Sequence, residues 1–184
     1  DDPAHPMAID AIASVHEKRG EWKELTDLLV AQVKQTAGSD KVAAHLRLGE
    51  LYEDRLNEFE KASVQYEAAL SVDPQSVDAL KGLERVYARS SDYAKLLETL
   101  QRQLEVVATP RQKIGLYEHI GAIQEEEFVD HEAATATYER IIDILRTVDF
   151  NGNMSIVFEG QGNRCSDYEA IGLAAAHLRQ LLAS

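Results

Sequence analysis

Apolar positions recur at intervals of three and four along most of the chain. Leu48, Leu51 and Tyr52 lie on one helical stripe with Arg55, and Phe59, Ala62, Tyr66, Ala69 and Leu70 on a second. Between them, Asp54-Arg55-Leu56-Asn57-Glu58 reads as a turn, and Asp73-Pro74 ends the second helix because proline disfavours helix in the residue before it. The unit is a helix–turn–helix of roughly 34 residues.

The pattern recurs at two long offsets. Residues 120–144 repeat residues 48–72 at an offset of 72, placing Ile120-Gly121 on Leu48-Gly49, Ala134 on Ala62 and Tyr138 on Tyr66. Residues 12–33 align with 83–104 at an offset of 71, placing Ile12 on Leu83, His16 on Tyr87, Trp22 on Tyr93, Leu25 on Leu96 and Leu29 on Leu100. The chain therefore alternates two hairpin types, each present twice, over about residues 7–145. Small residues among larger ones predict close helix packing: Gly49 is expected to face Ala62, Ala69 to admit the next hairpin, and Tyr52 and Tyr66 to fill the space beside them.

Leu48-Gly49, Tyr52, Ala62, Tyr66, Ala69 and Pro74 resemble the signature of the tetratricopeptide repeat family. Two departures stand out. His45 occupies a position where the family usually has a large aromatic, and the Tyr52–Ala62 interval is one residue long, so a looser turn is expected. The resemblance implies an all-α, right-handed α-solenoid of four hairpins.

The period breaks after Leu145. Asn151-Gly152, between Val148-Asp149-Phe150 and Met154-Ser155-Ile156-Val157-Phe158, predicts a β-hairpin. Ser166 and Glu169 form a capping box ahead of a helix carrying Ile171, Leu178, Leu181 and Leu182. The chain thus divides into a repeat domain, 1–145, and a hairpin with a capping helix, 146–184, read as a cap or small appended unit. Asn151-Gly152, Glu159-Gly160, Gly162 and Cys165 are similar to a family of short bacterial proteins, a likeness that implies no activity.

Charge changes the picture next. The 184 residues are 45% hydrophobic and 28% charged, enough for a core, and the formal charge is −13. Nucleic-acid backbones and anionic membranes are repelled by such a chain, so neither is expected as a partner. No run approaches the roughly 18 apolar residues of a membrane span. Asp1 in place of a Met reads as a fragment or a processed form. The cytoplasm is the expected compartment, from missing signals alone.

No catalytic constellation emerges. The single cysteine, Cys165, excludes an internal disulfide and a thiolate zinc site. It sits before a predicted helix N-terminus, which lowers thiol pKa, yet no histidine is positioned as its base. Asp149–Gly160 fails as a calcium loop, with Met154 at the glycine position and Gly160 in place of the closing glutamate. Gly160-Gln161-Gly162 is too short to cradle a phosphate. The expectation is no enzyme, no cofactor and no metal; a Cys165-dependent enzyme or redox sensor is the weaker alternative.

The resemblance further implies that first helices line a concave groove. By that register Lys81, Arg85 and Arg89 form a basic stripe in the third hairpin. Leu46, Arg47, Glu50, Glu53 and Asp54 in the second, and Glu118, His119, Ala122, Glu125 and Glu126 in the fourth, form flanking walls. The stripe is a candidate grip for an acidic side chain or carboxylate of a peptide, the walls for basic residues; alternatively, these charges pair between neighbouring helices. Some members of the family clamp a peptide carboxylate with Lys and Asn, but the matching asparagine positions carry Ser14, Glu50, Arg85 and Ala122. The expected function is a non-catalytic scaffold that binds a protein or peptide in the groove. The alternative is self-assembly, as a segment of a longer solenoid or as a homo-oligomer through an uncovered end.

Overall fold

A computed structural model describes residues 6–147, which belong to one unit spanning residues 1–148. The predicted C-terminal β-hairpin, its capping helix and Cys165 lie from Val148 onward, outside the described residues, while Arg146 and Thr147, placed by the sequence reading in the C-terminal unit, belong to the last described helix. Among the described residues there are eight helices and no strand: α1 (Pro6–Arg19), α2 (Trp22–Gln35), α3 (Gly38–Asp54), α4 (Phe59–Val72), α5 (Val77–Arg89), α6 (Tyr93–Val106), α7 (Pro110–Glu126) and α8 (His131–Thr147). Each packs on the next, and α3 also touches α5. The first helices of the hairpins, α1, α3, α5 and α7, are termed A helices; their partners are B helices.

The two hairpin types are visible in the backbone. In the first and third, the turn closes with Glu21 N–H on His16 C=O and Asp92 N–H on Tyr87 C=O, both at 2.9 Å. In the second and fourth, it closes one residue later, with Glu58 N–H on Tyr52 C=O and Asp130 N–H on Gln124 C=O, both at 2.8 Å. This is the long Tyr52–Ala62 interval in physical form. All four turns pass through a left-handed residue: Gly20, Asn57, Ser91 and Val129, with φ of 69°, 53°, 56° and 53°. Glycine and asparagine adopt that region readily, whereas β-branched Val129 does so under strain.

Side-chain caps punctuate the later helices. Ser76 Oγ accepts from Ala79 N–H, Asp92 Oδ1 from Lys95 N–H and Thr109 Oγ1 from Gln112 N–H, satisfying donors that a helix start leaves open. The main core gathers Ala62, Tyr66, Leu70, Leu80, Leu83, Leu96 and Leu100 between α4, α5 and α6. A second cluster, around Ala13, Leu25, Leu29 and Leu48, joins the first hairpin to the second.

The small residues act differently from the sequence expectation. The atoms nearest to a Cβ on Gly49 belong to Tyr66 rather than to Ala62. A Cβ on Gly49 would lie 2.7 Å from Tyr66 Cε1, so the missing side chain admits the tyrosine ring. The ring needs space on its other face as well: a Cβ on Gly82 of α5 would lie 2.6 Å from the same atom. Tyr66 is thus clamped between two glycines of successive A helices and is 1% exposed. In the fourth hairpin Gly121 gives the same room to Tyr138.

Candidate functional site: the A-helix face

The predicted basic stripe is mostly engaged within the fold. Glu53, one of the predicted wall residues, is 1% exposed. Tyr66 donates its hydroxyl to Glu53 Oε2 at 2.8 Å. Arg85 adds a two-pronged pair, Nε to Oε1 and Nη2 to Oε2, both at 3.0 Å. A buried carboxylate requires such partners, and the planar guanidinium supplies two parallel donors. Glu53 in turn holds the Arg85 guanidinium above its ordinary value, and burial, aided by Glu53, raises the Tyr66 phenol.

Arg89 extends the network outward. Its Nη1 lies 3.5 Å from Glu53 Oε1 and 3.6 Å from Asp54 Oδ1, and its Nη2 donates to Asn57 Oδ1 at 3.2 Å. Its guanidinium carbon stands 4.6 Å from the Phe59 ring centre, a cation–π distance. Similar bonds link the other A helices. Arg47 of α3 donates to Asp10 of α1 at 2.8 Å. His119 Nδ1 of α7 lies 3.4 Å from Glu84 Oε1 of α5, while Gln103 donates to Glu84 Oε2 at 2.7 Å. The His119 bond, with help from Gln103, holds the Glu84 carboxyl below the usual range despite partial burial.

What remains outward-facing is largely acidic. Lys81 is exposed and has no ion pair within 4 Å among the described residues. Glu50 and Glu118 are exposed as well. Arg47, Glu50 and Asp54 come together with Glu17 and Arg55 around a cleft of about 200 Å³ between α1 and α3, whose floor is Leu25, Leu29 and Leu51. Lost hydration pushes the Glu50 carboxyl up, and Asp54 and Glu53 add to the shift against the pull of Arg85. Arg55 is drawn over the Trp22 ring, 5.5 Å from its centre, at the end of the cleft.

Sequence reasoning placed Arg47, Glu50 and Asp54 on one face, and the structure gathers them at one cleft. Lys81, Glu118 and His119 stand apart from it on α5 and α7. The roles of Glu53 and Gly82 were missed. A signal existed for Glu53: Glu53 and Tyr66 recur together as Glu125 and Tyr138 at the same offset of 72. No group of three or more His, Cys, Asp or Glu side chains suited to a metal ion occurs among the described residues. None of the described helices is long and apolar enough to cross a membrane.

Four hairpins stacked in sequence order, with A helices on one face, define an α-solenoid. Residues 79–114 match the tetratricopeptide repeat family. The chain is 26% identical over 172 residues to superkiller protein 3 of Schizosaccharomyces pombe, a match covering 81% of this chain. The chain spans 12% of the length of that relative. Among solved structures, the crystal structure of MamA protein superposes with a TM-score of 0.58 at 16% identity, covering 84% of this chain and 81% of that one. The MamA RS-1 ArsTM double mutant superposes with a TM-score of 0.50 at 15% identity, covering 82% and 99%. At these identities the two structures speak to the fold alone. Residues 79–114 thus carry the match to the tetratricopeptide repeat family, and the fold of the described residues is that of a helical-repeat solenoid.

Proposed function

We propose that this chain is a non-catalytic interaction scaffold that holds a basic segment of a protein or peptide partner against the A-helix face. The carrying observation is the α1–α3 cleft, where a leucine floor is rimmed by Glu17, Glu50 and Asp54. Such a shape takes the aliphatic stem of a lysine or arginine on its floor and the cationic head at its rim. Arg47 and Arg55 at the same cleft are already drawn to Asp10 and to the Trp22 ring. In this reading Arg85 and Arg89 position the surface by neutralising Glu53 and Asp54 rather than meeting the ligand. Lys81, Glu118 and His119 contact the partner farther along the face. The tetratricopeptide repeat match over residues 79–114 supports the scaffold class, since such repeats typically mediate protein–protein interaction.

Fluorescence anisotropy with three labelled model peptides of equal length, basic, neutral and acidic, tests this reading. Tightest binding of the basic peptide is expected, weakened at least fivefold by Glu17→Lys/Glu50→Lys and by raised salt. Equal binding of all three peptides, or a preference that survives both substitutions, would overturn it.

A further inference from the structure

The outward stripe of α1 has a twin that is already packed inside the chain. In α5, Ala79, Gly82, Leu83 and Val86 share one helical stripe, and all four are buried. Gly82 fixes the direction of that stripe, because it lies against the Tyr66 ring of α4. At the offset of 71, the corresponding residues of α1 are Ala8, Ala11, Ile12 and Val15. The opposite stripe of α1, Ile9 and Ala13, is buried, yet Ile12 is 41% and Val15 45% exposed. Their counterparts Leu83 and Val86 are 0% and 1% exposed. An A helix therefore presents an apolar stripe of α5 type with no B helix of α4 type against it among the described residues.

Among the described residues there is one other B helix of that type. α8 presents Tyr138 over Gly121, with the tyrosine hydroxyl directed at Glu125, as α4 presents Tyr66 over Gly49 with its hydroxyl on Glu53. Tyr138 and Glu125 are only half-buried. The acidic pair that receives Arg89 in the internal joint, Glu53 and Asp54, corresponds to Glu125 and Glu126, and the residue of α1 at the Arg89 position is Lys18. Apolar stripe, tyrosine and charge pair thus recur in the same order when the first hairpin is set against the fourth.

We propose that the Ala11–Ile12–Val15 stripe of α1 docks on the α7–α8 end of a second copy of this chain, with Lys18 meeting Glu125 and Glu126, in the manner of α5 on α4. Ala11 replaces glycine and Ser14 replaces Arg85, so this joint is looser than the internal one and forms at high concentration. The two patches are different surfaces, so the contact is head-to-tail and grows into open chains. Ala11, Ile12, Val15 and Lys18 are not among the residues that line the α1–α3 cleft, so failure of this contact and failure of the peptide-binding reading are separately visible.

Sedimentation equilibrium of the full chain over a hundredfold range of concentration is the test. The weight-average mass is expected to rise with concentration. Ile12→Glu/Val15→Glu, at two exposed positions, should weaken association at least tenfold with unchanged helicity. Val64→Glu, at an exposed valine of α4 outside the joint, should leave it unchanged. Lys18→Glu should weaken association severalfold, and Lys18→Glu with Glu126→Lys should restore it. A monomer at every concentration, association indifferent to Ile12→Glu/Val15→Glu, or reversal of Lys18 and Glu126 without restoration would each overturn the proposal.

Discussion

The second and fourth hairpins, α3–α4 and α7–α8, begin from the same local instructions and end in different states. Each sets a glycine beneath a tyrosine and a glutamate at the tyrosine hydroxyl: Gly49, Tyr66 and Glu53 in one, Gly121, Tyr138 and Glu125 in the other. In the second hairpin, α5 closes over this unit. Gly82 covers the ring, Arg85 pairs with the carboxylate, and the Tyr66–Glu53 bond is 2.8 Å. In the fourth, no arginine reaches Glu125 among the described residues, and the Tyr138–Glu125 distance is 3.4 Å. The difference teaches that the motif within a hairpin prepares a socket, and the next hairpin determines whether its charge is stabilised or stranded.

That comparison is most sharply broken at the arginine. Arg85→Ala leaves Glu53 buried with only Tyr66 and the more distant Arg89, and should cost about 3 kcal/mol in urea unfolding. Loss below about 1 kcal/mol would mean that the buried pair is not what closes the socket.

Glutamate-to-glutamine substitution should then have opposite signs at the two sites. Glu53→Gln removes a charge-assisted pair and should cost about 2 kcal/mol. Glu125 behaves the other way. Burial raises its carboxyl, so the folded state holds the proton more tightly than the unfolded chain does. The group therefore favours folding when protonated, and this benefit is lost as pH rises through the carboxylate range. At neutral pH, Glu125→Gln should be neutral or stabilising by a few tenths of a kcal/mol, with the gain disappearing in acid. Urea midpoints at pH 7 and pH 4 measure both effects.

The tyrosines extend the contrast. Tyr66→Phe strips one donor from a buried carboxylate and should cost about 1.5 kcal/mol, while Tyr138→Phe should cost less than about 0.5 kcal/mol. Tyr138 is pushed up to about 12, chiefly by burial and then by Glu125, so it stays neutral throughout the working range and its loss adds no pH dependence there. The smallest effect lies in the turns. Asn57 and Val129 occupy equivalent left-handed positions. Val129→Asn should stabilise the fourth hairpin by about 1 kcal/mol or less, read as a rise in melting temperature.

How much of this was legible in the sequence follows from the range of each interaction. The helices and the two hairpin types were legible because periodicity and the offsets of 71 and 72 are local, repeated signals. The partner of Gly49 was misread because a glycine records only that something approaches closely; the tyrosine ring rather than Ala62 fills the space. Arg85 and Arg89 looked like free groove charges because they share a helix face. Their partners lie on α3, more than thirty residues earlier, and helical spacing carries no record of that. Glu53 looked like one more wall acid, although its repeat at Glu125 marked it as structural. His45 was legible as a departure. It is buried and within 3.0 Å of Gln65 Oε1, so an aromatic position has become a polar contact across α3 and α4. The cleft between α1 and α3 depends on how two hairpins meet, and only its residues, not its shape, could be listed beforehand.

The account rests most heavily on Arg85 belonging to the fold rather than to a free binding surface. A double-mutant cycle on Glu53→Gln and Arg85→Gln, read by urea unfolding, tests this directly. The predicted coupling is about 2 kcal/mol, with the double variant more stable by that amount than the sum of the single losses would give. A coupling near zero would contradict the account and return Arg85 to the surface, with Lys81 and Arg89, as a free basic stripe.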